Sequence, residues 1–450
     1  MLRGGEVDKA SRLLNVPVLG GSTATRVVFV ITWMDVGGAE RFALDAISQL
    51  RRRGCEVALV TTAPSTHRWR SQFEEQVVDV LELDTLSVVA RPAALVRFLR
   101  GFTPDVILVS NSWYLYDLMP FVRRKMTGVA IVDYCHAEEP QWQNGGYPAM
   151  SIANKASIHR TVCASEHLRR WMVDHGADES ACEVVRCNVD TDFWDPACVD
   201  RERVRRDLGF SEMDVVVVMV ARLDENKRPL VALDAIRAAS AAKPVCAVFV
   251  GTGPLEGALN ERLSTTTEVT VKLLSGGPLV VRDIYAAADL LILPSLAEGI
   301  SLAVYEAMAM GLPVVVSDVG GHSELVVPET GRLVGLRGSD AADIKEFAAV
   351  LRELIQDADK RDALGTRARN RVLVGFTLSD MGQGLQRALS VETIRPRPSR
   401  RSAMAGWFRA TGREYRRLGR STLGAARRSI QVQTVTALPT AADPQRSELH

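Results

Sequence analysis

The chain has 450 residues, of which 47% are hydrophobic, 24% charged and 6% aromatic, with a net charge of +1. That mixture excludes wholesale disorder, and at about 100–200 residues per domain it allows two to four domains, two being the economical number. Seven scattered cysteines without a CxxC pair argue against a disulfide framework or a zinc site. No apolar run approaches the roughly 20 residues of a membrane-spanning helix, and the first 25 residues lack a signal-peptide layout. The expectation is a cytoplasmic protein. Charge is unevenly placed, however. Between Arg395 and Arg428 there are eleven arginines and one acid, Glu414, so this tail carries +10 and the rest of the chain −9.

In chain order, residues 1–25 read as a flexible lead. Short β-branched runs then alternate with helical patterns. Strands are expected at 27–32, 56–61, 106–110, 130–134 and 160–164, with helices at 39–52 and 152–160 among them. The stretch 187–206 loosens into polar, Asp-rich sequence. Alternation resumes with strands at 214–221, 245–250, 269–274, 290–294 and 314–317, and with helices at 229–240 and 302–310. The strands are almost continuously apolar, which suits parallel sheets covered on both faces. The expected division is an α/β domain over 26–190, a linker over 191–212 and a second α/β domain over 213–375. A helix over 376–392 returns to the first domain, and a basic tail occupies 393–450. Two such domains face each other across a cleft at the carboxyl ends of their strands, where open α/β sheets bind ligands.

The most informative segment is LLILPSLAEGISLAVYEAMAMGLPVVVSDVGGHSEL, residues 290–325. A strand ends at Pro294, a loop carries Glu298 and Gly299, and a helix begins near Ser301 and stops at Gly311 and Pro313. The N–H groups of Ile300, Ser301 and Leu302 point out of the helix start, where the macrodipole favours an anion, and Gly299 lets the backbone approach it. Glu306 lies about 7 Å further along the axis, placed to take the hydroxyls of a ribose. Glu298 approaches the same anion from the opposite side. One carboxylate for a ribose and one for a transferred sugar suits a nucleotide-sugar.

This E-x7-E element in its EGISLAVYEAMAMGLPVVVSDVGG setting resembles the retaining glycosyltransferases of family 4, over roughly residues 26–390. The resemblance implies the GT-B fold, two Rossmann-like domains facing each other across a cleft. Ala221-Arg-Leu-Asp-Glu-Asn-Lys227 resembles the family's Arg/Lys pair for the diphosphate. There Arg222 would offer a planar fork and Lys227 a point charge, neutralising the leaving group. Gly251-Thr-Gly253-Pro resembles the family's GxGP loop, and the backbone of Leu274 and Ser275 falls where the nucleotide base passes. Gly320-Gly-His-Ser-Glu324 resembles its GGxxE loop, where His322 is expected to be a polar loop residue. Gly37-Gly38-Ala-Glu resembles its GGAE element, a tight loop covering the diphosphate. His136 falls where the family places a histidine against the donor sugar, ahead of a long loop (136–147) suited to an acceptor.

The resemblance further implies front-face substitution with retention, in which the leaving phosphate accepts the incoming proton and no metal is required. The implied reaction moves a sugar from a nucleotide-diphosphate-sugar to a hydroxyl of a glycan or lipid-linked acceptor. A nucleotide-sugar epimerase or hydrolase of the same architecture, or a non-catalytic sugar-nucleotide-binding protein, is the alternative. Asp190-Thr-Asp192 is a DxD, but it lies in the family's hinge segment, where Asn188 replaces a glycine. Asn tolerates the left-handed backbone, so the turn is expected to survive without a metal. In the tail, Met404, Phe408, Thr411, Tyr415 and Leu418 fall at helical spacing among arginines. Residues 395–430 are therefore a candidate for an anionic membrane surface on the cytoplasmic side, and nucleic acid is not expected. Gly406, Gly412 and Gly419 weaken that helix and leave a solvated arm as the alternative.

Overall fold

The computed structural model describes residues 24–140, 142–240, 244–266, 269–274, 278–391 and 398–435, with 278–280 and 418–435 described by their backbone alone. Most of the expected N-terminal lead, Ser275, the start of the basic tail before residue 398, and residues 436–450 lie outside them.

The first half contains β1 (Arg26–Ile31), α1 (Gly38–Arg52), β2 (Glu56–Thr61), α2 (Arg70–Glu74), β3 (Val80–Glu82), α3 (Arg91–Phe102) and β4 (Val106–Ser110). It continues through α4 (Trp113–Lys125), β5 (Ala130–Cys135), α5 (Gly146–Ala153), β6 (Arg160–Cys163), α6 (Glu166–Asp174) and β7 (Cys182–Val184). The seven strands form one parallel sheet in the order β3-β2-β1-β4-β5-β6-β7, with Val27 level with Val57 and Val106. Side chains alternate across it. Val27, Phe29 and Ile31 face one core with Phe42 and Ile47 of α1, whereas Val28 and Val30 face another with Leu99, Leu118 and Met119. Both faces are covered, which is why these strands read as unbroken apolar runs.

The second half contains α7 (Arg201–Asp207), β8 (Val215–Val220), α8 (Pro229–Ala239), β9 (Val245–Val250), α9 (Glu256–Ser264), β10 (Thr270–Leu274), α10 (Pro278–Ala287) and β11 (Leu290–Leu293). It is completed by α11 (Leu302–Ala309), β12 (Val314–Ser317), α12 (His322–Leu325), β13 (Gly331–Val334), α13 (Asp340–Gln356) and α14 (Ala358–Leu373). Its parallel sheet has the order β10-β9-β8-β11-β12-β13, the topology of the first sheet repeated. Both are doubly wound, with the order reversing beside the first strand.

The 191–212 stretch holds α7, which packs on α10. Its buried Arg205 donates to the carbonyls of Ala287 (2.8 Å), Ser211 (2.7 Å) and Asp214 (2.5 Å). Asn188 takes the left-handed backbone at φ +56°, and its Nδ2 donates to the Thr377 carbonyl (2.9 Å). Thr377 begins α15 (Leu378–Leu389) with a reciprocal capping box to Asp380. α15 crosses back onto α1, burying Met381, Leu385 and Ala388 in the first domain's core. Each large apolar side chain so buried contributes about 2 kcal/mol.

The basic tail is not a loose arm: α16 (Arg400–Val435) is continuous through its glycines and packs along α4. It runs antiparallel, with the Pro398 carbonyl accepting from Arg124 (3.0 Å) and Arg413 and Arg417 over the Trp113 ring. Of the expected stripe, Thr411 alone among the described members turns inward. Ala403, Gly406, Ala410, Thr411 and Glu414 face α4, while Met404, Phe408 and Tyr415 point outward. A Cβ on Gly406 would lie 2.8 Å from the Asp117 carbonyl oxygen, so glycine there permits close helix contact. Glu414, the one acid between Arg395 and Arg428, is fully buried and paired with Arg91 at 3.1 Å.

Asn188→Gly is expected to cost about 1 kcal/mol, the Thr377 hydrogen bond alone. Asn188→Val adds the left-handed strain of a β-branched residue, a further 1–2 kcal/mol or so. Urea unfolding of the two variants checks the order.

Candidate active site

The site forms where the carboxyl ends of both sheets meet. On the second domain, β11 ends at Leu293 and the chain passes Glu298 before α11 begins at Leu302. Ser301 provides no side-chain cap, so the first-turn N–H groups are left to face the cleft. Asn226 clamps this loop: its Oδ1 accepts from Ala297 N–H, its Nδ2 donates to the Ala297 carbonyl (both 3.0 Å), and its own carbonyl accepts from Leu296 (2.8 Å). The clamp brings the 222–227 loop under Glu298, and Lys227 Nζ makes an ion pair with Glu298 Oε1. Burial alone would raise the Glu298 carboxyl, but the Lys227 ammonium and the field of His322 outweigh it and hold it below its usual value. Arg222 remains 74% exposed, pairing with Asp224 at 2.5 Å.

Glu306 occupies the next turn of α11. Burial pushes its carboxyl up to about 8, opposed by Arg41 of the first domain, and Tyr285 Oη lies 3.5 Å from its Oε2. Arg41 is held by Asp45 (2.9 Å), itself raised by burial to about 6. Sequence reasoning missed Arg41, Asp45 and Tyr285. Only the position of Arg41 one turn after the paired glycines could have signalled it.

The first domain supplies the opposite wall. Gly37 is extended (φ −177°) and precedes α1, which also lacks a side-chain cap. Gly38 faces Leu302 across the cleft, where a Cβ would sit 3.8 Å from Leu302 Cδ1. His136 follows β5, its Nε2 2.8 Å from Ser110 Oγ at the end of β4, and its ring packs edge-on to Phe42. Burial lowers its pKa to about 4, so the ring is neutral at physiological pH.

The two domains touch here through backbone. A Cβ on Gly299 would collide with the His136 carbonyl oxygen, and one on Gly320 (φ +56°) with the Glu298 carbonyl oxygen. Gly321 N–H donates to the Gly299 carbonyl at 2.6 Å, and Ile300 is buried against Gly321. His322, expected as a polar loop residue, is instead fully buried, with Nδ1 2.9 Å from the Ser317 carbonyl. Glu324 ties the domains together: Oε1 accepts from the His167 N–H in the first turn of α6 (2.8 Å), and Oε2 from Arg186 (2.5 Å). That clasp was visible in the sequence only as part of the GGxxE loop.

The remaining sequence candidates are less directly placed. Gly253 packs against the Leu223 backbone, which leaves no room for a side chain, and the Leu274 carbonyl already accepts from Gly251 N–H (3.0 Å). Ser275 lies outside the described residues. In the DxD, Asp190 Oδ1 accepts from the N–H groups of Asp192 and Phe193 (both 3.1 Å), closing a turn. Among the described residues, His67, Glu82 and Asp84 bring possible metal-ligating atoms within 4.8 Å of one another. His67 Nδ1, however, accepts from Met34 N–H (3.0 Å), so the neutral ring carries its proton on Nε2 and is no ligand there. Glu82 is held by Arg70.

An uncapped helix start, an ammonium–carboxylate pair beside it and a second carboxyl group one turn on thus lie together at the junction of two doubly wound domains. Residues 36–193 match the family described as Glycosyltransferase Family 4, and residues 200–371 match Glycosyl transferases group 1. A GDP-mannose-dependent monoacylated alpha-(1-6)-phosphatidylinositol monomannoside mannosyltransferase of Corynebacterium glutamicum is 30% identical over 382 residues, covering 79% of this chain and 95% of its own. A D-inositol 3-phosphate glycosyltransferase of Rhodococcus opacus is 26% identical over 80% of this chain and 87% of its own. In fold, HepE of Anabaena, crystallised with UDP and glucose, superposes with a TM-score of 0.69 at 20% identity over 81% of this chain and 99% of its own. The chain belongs to glycosyltransferase family 4.

Lys227→Ala leaves Glu298 buried beside no ammonium and is expected to destabilise the second domain by about 3 kcal/mol. Adding Glu298→Gln removes the orphaned charge and should recover most of that loss. Thermal melts of the single and double variants make the comparison.

Proposed function

We propose that this enzyme transfers a sugar from a nucleotide-diphosphate-sugar to a hydroxyl of a glycan or lipid-linked acceptor, in the cytoplasm, with retention of anomeric configuration and without a metal. The observation that carries the reading is the Lys227–Glu298 pair set at the uncapped start of α11, with Glu306 one turn beyond. A pyrophosphate settling on that helix start meets backbone donors and the macrodipole, with Lys227 beside it and Arg222 able to exchange Asp224 for phosphate oxygens. Glu306 takes the ribose hydroxyls. Negative charge that grows on the departing diphosphate is then met by groups already in place, where electrostatic stabilisation is most effective.

His136, neutral and held by Ser110, serves as a hydrogen-bonding partner for the transferred sugar and contributes no charge. The Gly37–Gly38 loop covers the diphosphate from the acceptor side. No carboxylate of the first domain is assigned as a nucleophile. The incoming hydroxyl attacks on the face the diphosphate leaves, and a phosphate oxygen accepts its proton. The relatives support the acceptor class, since an inositol phosphate and a phosphatidylinositol mannoside both present polyol or sugar hydroxyls. HepE is bound to UDP and the mannosyltransferase uses GDP-mannose, so the donor base is left to experiment.

Thermal stabilisation by a panel of UDP-, GDP-, ADP- and TDP-sugars tests the reading. One nucleotide series should raise the melting temperature, by about 2.7 kcal/mol of stabilisation at 100 times its Kd. Glu306→Ala and Lys227→Ala should each abolish most transfer while the fold persists. A panel without any shift, or near-normal turnover in both variants, overturns the site.

Glu306 also sets a pH dependence. Its carboxyl holds a proton up to about 8 in the folded protein, against an ordinary value of 4.5. As a ribose acceptor it is needed ionised, so donor affinity should rise on going from pH 6.5 to 8.5, by about tenfold per unit at most. The same shift means the ligand-free protein loses stability as pH climbs from about 4.5 to 8, because the unfolded chain releases that proton first. Glu306→Gln should flatten both profiles, as isothermal titration and pH-dependent melts would show.

A further inference from the structure

The outward face of α16 belongs to neither domain core. Arg401, Met404, Phe408, Arg409, Tyr415 and Arg416 are all exposed and recur at helical spacing on one side. Phe408 is 61% exposed, Tyr415 56% and Met404 48%, beside basic neighbours. Between residues 398 and 417 the single acid is Glu414, and it is turned inward onto Arg91. The face presented to the surroundings thus holds large apolar side chains and guanidinium groups, with no outward carboxylate in that stretch. The inward face is fully committed to α4, through Ala403, Gly406 and Ala410 and the Arg413–Asp117 pair (3.1 Å).

Direction matters as well. Pro398 lies by Arg124 at the end of α4, and Arg413 and Arg417 lie over Trp113 at its start. Beyond Arg417 the helix therefore runs past the start of α4. That end of α4 follows directly from Ser110, which closes β4 and holds His136. Residues 418–435, about 27 Å of helix at 1.5 Å per residue, thus project on the side of the domain where the strands end and the cleft opens.

We propose that the outer face of α16 docks on an anionic lipid bilayer, with Phe408, Met404 and Tyr415 entering the headgroup layer and Arg401, Arg409 and Arg416 meeting lipid phosphates. Large apolar side chains among arginines favour a bilayer over nucleic acid, which would draw on the arginines and leave Phe408 and Met404 in water. Docked this way, the acceptor domain rests on the membrane with its cleft edge beside the helix, so a lipid-linked hydroxyl reaches the site laterally. This deepens the acceptor reading above, but the docking itself depends on no donor chemistry.

Deleting the helix is a poor test, because it would strip α4 and take the charged partners Glu414 and Arg413 from Arg91 and Asp117. Full-length protein carrying Met404→Ser with Phe408→Ser, and a second variant with Arg401→Glu and Arg409→Glu, keep the inward face intact. Flotation with phosphatidylcholine vesicles containing 30 mol% phosphatidylglycerol, and with pure phosphatidylcholine, reads the outcome in the absence of any donor. Wild type should float with the anionic vesicles alone. Each variant should lose about tenfold or more in partitioning at an unchanged melting temperature. Equal flotation of wild type and variants, no flotation of wild type, or retention of wild type on single-stranded RNA in place of vesicles overturns the docking. None of these results bears on nucleotide-sugar binding, which the thermal-shift panel reads separately.

Discussion

At the floor of the cleft the two domains meet backbone to backbone, and the site depends on that contact. Gly299 lies against the carbonyl of His136 across the domain boundary, and within the second domain Gly320 lies against that of Glu298, so close that a methyl group at either position would force the segments apart. Packed interiors do not yield by this amount without moving whole segments. The approach fixes the 298–302 loop between its own domain and the other, and it carries the start of α11 to the opposite wall. Glu324 reinforces the arrangement by accepting from the first turn of α6 and from Arg186, both in the other domain. The result is a cleft whose electrostatics is shared: Glu306 of one domain lies in the field of Arg41 and Asp45 of the other.

That sharing sorts the ionisable groups of the cleft by environment. Glu298 has an ammonium against it and stays ionised in spite of burial, whereas Glu306, comparably desolvated and with its cation engaged by Asp45, keeps its proton to about 8. His136 is neutral for the same desolvation reason. Desolvated groups with incomplete compensation are what a charged, hydroxyl-rich ligand can complete. Under the proposed reading, a pyrophosphate would bring charge to Lys227 and the helix start, and a ribose would bring hydrogen-bond donors to Glu306. The ligand-free protein thus holds Glu298 ionised and Glu306 protonated in one desolvated cleft.

The parts of this site carried by one continuous segment were legible in the sequence. In residues 290–325 the strand, the glycine loop and the helix follow one another, and local spacing alone puts Glu298 and Glu306 on either side of one helix start. Asn188 was legible for a similar reason, since its left-handed backbone is a local property of the residue. What the sequence hid is long-range. Asn226 clamps a loop 70 residues away, Tyr285 reaches Glu306 from a neighbouring helix, and Glu324 completes a helix of the other domain. No periodicity encodes such meetings, because they arise only when two sheets are placed face to face. His322 was misjudged on the same ground: its loop looked polar, and only the fold shows that Gly321, His322 and Leu325 are buried.

The tail was legible on one face only. Hydrophobic periodicity marked Met404, Phe408 and Tyr415 as one stripe, and they do share the exposed side, but it could not show what the opposite face packs on. Close helix–helix contact instead selects small residues, and α16 meets α4 through Ala403, Gly406 and Ala410, while a sealed ion pair, Glu414–Arg91, ties it to the start of α3. A buried pair of this kind adds little net stability but fixes which way the helix faces, because rotating α16 would strand both charges. The one acid among eleven arginines thus acts as an orientation key. By turning inward it leaves every large apolar side chain of the described stretch, apart from the half-buried Trp407, on the same outward side as Arg401, Arg409 and Arg416. The glycines that seemed to weaken the helix and the acid that seemed incidental to a basic tail are therefore what commit the apolar, cationic face to the surroundings.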